Sequence, residues 1–152
     1  MREPSARPEA LNALIGTLDF AEDRNQRIQM LIDIAERYQP PPSTLASRPY
    51  PESHKVPACE SEAFVWSQAR PDGRLDFYIA VENPQGISAK AMAVTLVECL
   101  SGAPLPAVLA VTPEIVAELF GPELSIGKSM GLEAMVGMVR QMARHQLESS
   151  AE

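Results

Sequence analysis

Ala63-Phe64-Val65-Trp66-Ser67-Gln68, then Arg70-Pro71-Asp72-Gly73-Arg74, then Leu75-Asp76-Phe77-Tyr78-Ile79-Ala80-Val81-Glu82: this stretch decides the fold. The first run is compact, apolar and aromatic. In the last, Leu75, Phe77, Ile79 and Val81 alternate with Asp76, Tyr78, Ala80 and Glu82, the period of a half-buried strand. Asp-Gly between two such runs signals a hairpin, because glycine adopts the positive φ that tight turns demand. The spacing therefore predicts an antiparallel sheet here.

Upstream, Leu11, Leu14, Ile15 and Leu18 form a helical stripe, and Ile28, Leu31, Ile32 and Ala35 repeat the spacing in a second helix. Both stripes read as core faces. Pro40-Pro41-Pro42 ends the second helix and makes residues 40 to 53 an extended connection, since proline lacks an amide donor and restricts the residue before it. Downstream the pattern turns helical from Ser88, where Met92, Val94, Leu96, Val97 and Leu100 are too apolar for an exposed helix. Gly102 and Pro104 supply its stop. Thr112-Pro113-Glu114 reads as an N-cap with proline at the first helical position, ahead of Ile115, Val116, Leu119 and Phe120. A last helix carries Leu132, Met135, Val136, Val139 and Met142, and residues 1–9 and 146–152 are expected to fray. Helices, then strands, then helices define an α+β class, and 152 residues suit one domain.

With 20 acidic and 13 basic residues the net charge is −7, which argues against nucleic acid or an anionic membrane as partner. Only two cysteines, no apolar leader and no apolar run approaching about 18 residues point to a reducing, cytoplasmic setting.

Cys59 is the residue with the clearest chemical potential. It lies in His54-Lys55-Val56-Pro57-Ala58-Cys59-Glu60-Ser61-Glu62, a polar loop running straight into the first strand, and its neighbours favour an exposed turn. A nearby Lys55 or His54 would favour the thiolate. An unused surface cysteine is the plainer alternative. A protease needs a positioned base, and the only histidines are His54 and His145. Cys59 and Cys99, 40 positions apart, lack chelating spacing, and Cys99 sits where a buried structural cysteine is the usual occupant. Met130, Met135, Met138 and Met142 read as packing rather than soft-metal ligands. Glu60 and Glu62 would raise the pKa of a neighbouring thiol, so a solvated loop edge suits them better than acid/base work. Gly127-Lys128-Ser129 lacks the strand and glycine loop that a phosphate site requires.

Three segments together resemble the SufE family of sulfur-acceptor proteins in iron–sulfur cluster assembly. Val56-Pro57-Ala58-Cys59-Glu60-Ser61-Glu62-Ala63-Phe64-Val65-Trp66 is similar to that family's V-x-G-C-x-S-x-V-W loop and strand. Ser129-Met130-Gly131-Leu132-Glu133-Ala134-Met135-Val136 is similar to its R-S-x-G-L-x-A-M segment, and Arg27 to Ala35 resembles its R-Y-x-x-L-I-x-L-G helix. The resemblance implies a SufE/IscU-like fold: a three-stranded antiparallel sheet with helices packed on one side. It implies that Cys59 accepts sulfur as a persulfide from a PLP-dependent, SufS-like cysteine desulfurase, stimulating that enzyme, and passes the sulfur to a SufBCD-like cluster scaffold. No cofactor or metal of its own is then needed. His54, Lys55, Ala58, Glu60, Ser61, Trp66 and Lys128 would support the loop or the partner contact, with an apolar pocket expected beside Phe64 and Trp66.

Departures from the family pattern are specific. Ala58 stands in place of glycine, Lys128 in place of arginine, and Asn83-Pro84-Gln85-Gly86 in place of an Asp/Ser-rich segment. The other readings are an IscU-like scaffold, which needs about three thiolate-type ligands, and a non-catalytic desulfurase regulator.

Overall fold

The computed structural model describes residues 6–58, 62–121 and 126–150, with side chains from 129 onward in the last segment. Two strands and six helices follow in the order α1 (Glu9–Leu18), α2 (Arg24–Ala35), β1 (Ala63–Ala69), β2 (Leu75–Val81), α3 (Ile87–Leu100), α4 (Leu105–Leu109), α5 (Ile115–Phe120) and α6 (Ile126–Ser150). The mixed α+β class predicted from the sequence holds.

β1 and β2 pair antiparallel in unbroken register from Ala63 opposite Val81 to Ala69 opposite Leu75. Gly73 turns the hairpin at φ 88°, donating to Arg70 O at 2.9 Å, while the Asp72 carboxylate accepts from Arg74 N–H at 3.0 Å. Strand alternation then sorts the side chains by face. Ala63, Val65, Leu75, Phe77, Ile79 and Val81 enter the main core with the helices, whereas Phe64, Trp66 and Ala80 form a second, smaller core on the opposite face. α3 lies across β2 and α6 against β1.

The three strands implied by the resemblance are not all formed: among the described residues the sheet has two, plus one antiparallel bridge between Lys55 and Phe64. The reason lies in the segment beside β1. Residues 40–57 contain Pro40, Pro41, Pro42, Pro49, Pro51 and Pro57, each without the amide that a ladder needs. This segment instead covers the Phe64/Trp66 face through the side chains of Leu45, Ala46 and Tyr50.

α3 is the central helix, with nine buried residues including Met92, Leu96 and Leu100. In α2 the expected stripe is rotated: Leu31, Ile34 and Ala35 are buried, but Ile28 is 42 % exposed. Ile34, spaced three from Leu31, supplies the inward residue instead. α2 starts at an Asp23 cap that accepts from Gln26 N–H at 2.8 Å. The cap expected from Thr112 does not form. Ile115 N–H bonds the Thr112 carbonyl and Val116 N–H the Pro113 carbonyl, so a turn precedes α5 and the helix begins at Ile115. α4, which the sequence reading did not separate, occupies the span after Pro104. The polar tail expected to fray continues α6 as helix to Ser150, and Gln146 Nε2 donates to Gly73 O at 3.1 Å. At the other end, Arg7 pairs with Glu118 at 2.7 Å.

Tyr38 ties α2 to the sheet, its Oη accepting the Val81 N–H at 2.8 Å. Tyr38→Phe removes that acceptor and leaves a donor buried at the strand edge, for an expected loss of about 1–2 kcal/mol. A urea midpoint equal to that of the parent protein would rule out this role.

Candidate functional site: the loop closed by Lys55 and Glu62

Cys59, Glu60 and Ser61 lie outside the described residues, and so does the side chain of Lys128, whose backbone falls in α6. The structure does define the frame that carries them. Val56 N–H donates to Ala63 O at 2.8 Å, Glu82 N–H donates to Glu62 O at 2.8 Å, and Lys55 Nζ stands 3.5 Å from the Glu62 carboxylate. The chain is therefore fixed on the sheet at Val56, before Cys59, and again at Glu62, after it. The ion pair is solvent-exposed and contributes at most about 1 kcal/mol. The backbone bonds set the geometry.

His54 ends a single 3₁₀ turn, Glu52–His54, and faces the sheet rather than the loop. Its Nδ1 is 2.8 Å from Val65 O, and its ring stacks on Trp66 with centroids 5.1 Å apart. A carbonyl can only accept, so Nδ1 carries the proton in this bond. His54 thus ties the segment ahead of Val56 to β1. Beside Phe64 and Trp66, where an apolar pocket was expected, the described residues form a ring cluster: Tyr50 sits 5.2 Å from each ring, and Phe64 and Trp66 are 5 % and 6 % exposed. Trp66 packs against His54 and Tyr50 of the segment that precedes Val56. Tyr50 was missed in the sequence because it lies among prolines with no periodicity to mark it.

Ala58 has φ 59°, the left-handed region, immediately before Cys59. A Cβ there crowds the following carbonyl, at about 1–2 kcal/mol. The glycine-to-alanine departure thus falls where glycine's freedom counts. Ala58→Gly is expected to raise stability by up to about 1 kcal/mol, the relief being partly offset by glycine's extra unfolded-state entropy. An unchanged or lowered melting temperature would show that the strain is absent.

The second cysteine has a different environment. Cys99 is 9 % exposed near the end of α3, and burial, reinforced by Glu98, pushes its thiol up to about 11. Arg37, which opposes the shift, is a weaker influence. Desolvation holds Cys99 as the neutral thiol at neutral pH, consistent with its structural reading. Among the described residues no cluster of His, Cys, Asp and Glu could hold a metal ion, and no helix is long and apolar enough to cross a membrane.

Comparison with solved structures finds a hypothetical protein from Thermus thermophilus, determined in solution. It is similar at 26 % identity and a TM-score of 0.72, over 93 % of this chain and 98 % of that one. A search of curated proteins returned no match. Residues 12–143 match the family described as "SufE: Fe-S metabolism associated domain", a span containing the hairpin, the Cys59 loop and the core of α6; the chain belongs to the SufE family.

Proposed function

We propose that this protein is a sulfur acceptor and carrier, with Cys59 as the residue that takes up sulfur. The observation that carries the reading is family membership in Fe–S metabolism, joined to the Val56-Pro57-Ala58-Cys59 sequence in a segment bonded to the sheet at Val56 and Glu62. The donor is a PLP-dependent cysteine desulfurase bearing a persulfide. The Cys59 thiolate attacks the outer sulfur of that persulfide; the donor's S–S bond breaks, its electron pair leaves with the donor thiolate, and a new S–S bond forms on Cys59. Nothing is oxidised or reduced overall. The persulfide then passes to a cluster-assembly scaffold, and clearing the donor's product speeds the desulfurase.

In this reading the protein needs no cofactor of its own, because PLP belongs to the donor. Cys99 takes no part, being held as a buried thiol. Intact-mass measurement after incubation with a desulfurase and cysteine tests the proposal: the parent protein and Cys99→Ser should each gain sulfur, and Cys59→Ser should gain none. Sulfur loading that persists in Cys59→Ser would refute it. Iron-dependent colour would favour a scaffold, and faster desulfurase turnover without added mass a regulator.

A further inference from the structure

Among the described residues the N–H and C=O of Ile79, on the outer edge of β2, have no partner, and Ile79 lines a cavity. Alternation turns the N–H and C=O of Leu75, Phe77, Ile79 and Val81 away from β1. At the other three positions one of the two groups is bonded: Leu75 O accepts from Gly102 N–H at 2.8 Å, Phe77 N–H donates to Ser101 Oγ at 3.0 Å, and Val81 N–H donates to Tyr38 Oη at 2.8 Å. The Ile79 N–H and C=O face the same way, and no group among the described residues takes them. Ile79 is 2 % exposed, and leaving a buried donor unpaired costs about 1–3 kcal/mol.

The cavity beside Ile79 measures about 310 Å³ and lies between the end of α2 and the face of α3. Ala93, Val94 and Val97 give it apolar walls, while Arg37 and Glu98 bring opposite charges to it. The two charges are bonded to each other through Arg37 Nε (3.3 Å) and Nη2 (2.9 Å), so the guanidinium keeps Nη1 for another acceptor.

We propose that this cavity binds one free α-amino acid with an apolar side chain, seated as a single-residue extension of the β2 edge. In an antiparallel pair, the residue opposite a hydrogen-bonded position exchanges both bonds with it. An amino acid does this with its own two ends: the ammonium donates to Ile79 C=O and the carboxylate accepts from Ile79 N–H. The surplus charge at each end meets Glu98 and Arg37 respectively. Tyr38 and Ser101 cap the neighbouring edge positions, which limits the site to one residue and excludes a longer strand. A volume at the low end of ligand pockets fits the same limit.

The test is titration of the ¹⁵N-labelled full chain with L-leucine. The Ile79 amide should shift saturably, and D-leucine or N-acetyl-L-leucine amide should bind at least about tenfold more weakly. Arg37→Gln and Glu98→Gln alter a half-exposed surface pair and leave the fold intact, yet each should weaken L-leucine binding by about tenfold or more. An Ile79 amide that does not move overturns the proposal. So does equal binding of the capped amide, or undiminished affinity in both variants.

Discussion

Arg27→Ala should lower stability by about 3 kcal/mol, a large fraction of the roughly 5–15 kcal/mol typical of a folded domain. The guanidinium is bonded to three backbone carbonyls. Nε donates to Leu119 O at 3.0 Å, Nη1 to Leu18 O at 3.3 Å, and Nη2 to Glu118 O, while Asp19 lies 3.5 Å away. Leu18 ends α1, and Glu118 and Leu119 lie in the last turn of α5, so these carbonyls are ones that a helix cannot satisfy internally. A cation there also opposes the negative end of each helix dipole. Arg27→Lys keeps the charge but cannot present a planar fork to three separated oxygens, and should recover less than half of the loss. Urea denaturation of the two variants checks both statements. A loss under about 1 kcal/mol in Arg27→Ala would show that water replaces the guanidinium at little cost.

Cys99 should react with iodoacetamide at pH 8 about a hundredfold more slowly than an ordinary thiol, because a rise from 9.0 to about 11 cuts its thiolate fraction by that factor. Unfolding in urea should abolish the difference. The same shift has a consequence for stability, and its sign is fixed. With a folded pKa above the unfolded one, the native state holds its proton longer. The contribution of the neutral thiol is therefore complete below about pH 9 and is lost as pH rises through about 11, amounting to about 2 kcal/mol at most. Tyr38, also raised chiefly by burial, acts in the same direction at alkaline pH. Cys99→Ala should flatten the decline between pH 9 and 11. Rapid labelling of native Cys99 at pH 8 would contradict the desolvated environment on which both expectations rest.

The hairpin was legible because two signals coincided, the alternation of Leu75 to Val81 and the Asp72-Gly73 turn, and each demands the same backbone. The buried helix Ile87–Leu100 was legible from its density of apolar residues. Arg27 was not: as part of a helical motif it reads like any charged helix residue, and only tertiary contact reveals that it bonds the ends of two other helices. Ile28 misled for a related reason. Its spacing matched the stripe, but α2 is oriented by Leu31, Ile34 and Tyr38, which decide the buried face together. At the site, Cys59 stood out through its turn-favouring neighbours and the family-like segment around it, whereas the placing of His54 and Tyr50 depends on rings brought together from an aperiodic, proline-rich segment. That the described residues pair only two strands follows from those same prolines, since they remove ladder donors wherever the segment runs.

The proline-rich cover over Phe64 and Trp66 gives the sheet two faces of unequal permanence. On the helix side, the hairpin is locked by its ladder and by the main core. On the other, apart from the junction at Lys55 and Val56, the cover is held by side chains alone, through ring packing, the His54–Val65 O bond and the exposed Arg48–Glu82 ion pair, so we expect it to lift while β1 and β2 stay paired. Hydrogen exchange should register this as opening of residues 43–50 well below the free energy of global unfolding, with the ladder amides of Trp66 and Tyr78 still protected. The segment that carries Cys59 is bonded at Val56, the end of that cover, and at Glu62 on the sheet. It has one foot on a part that lifts cheaply and one on a part that does not.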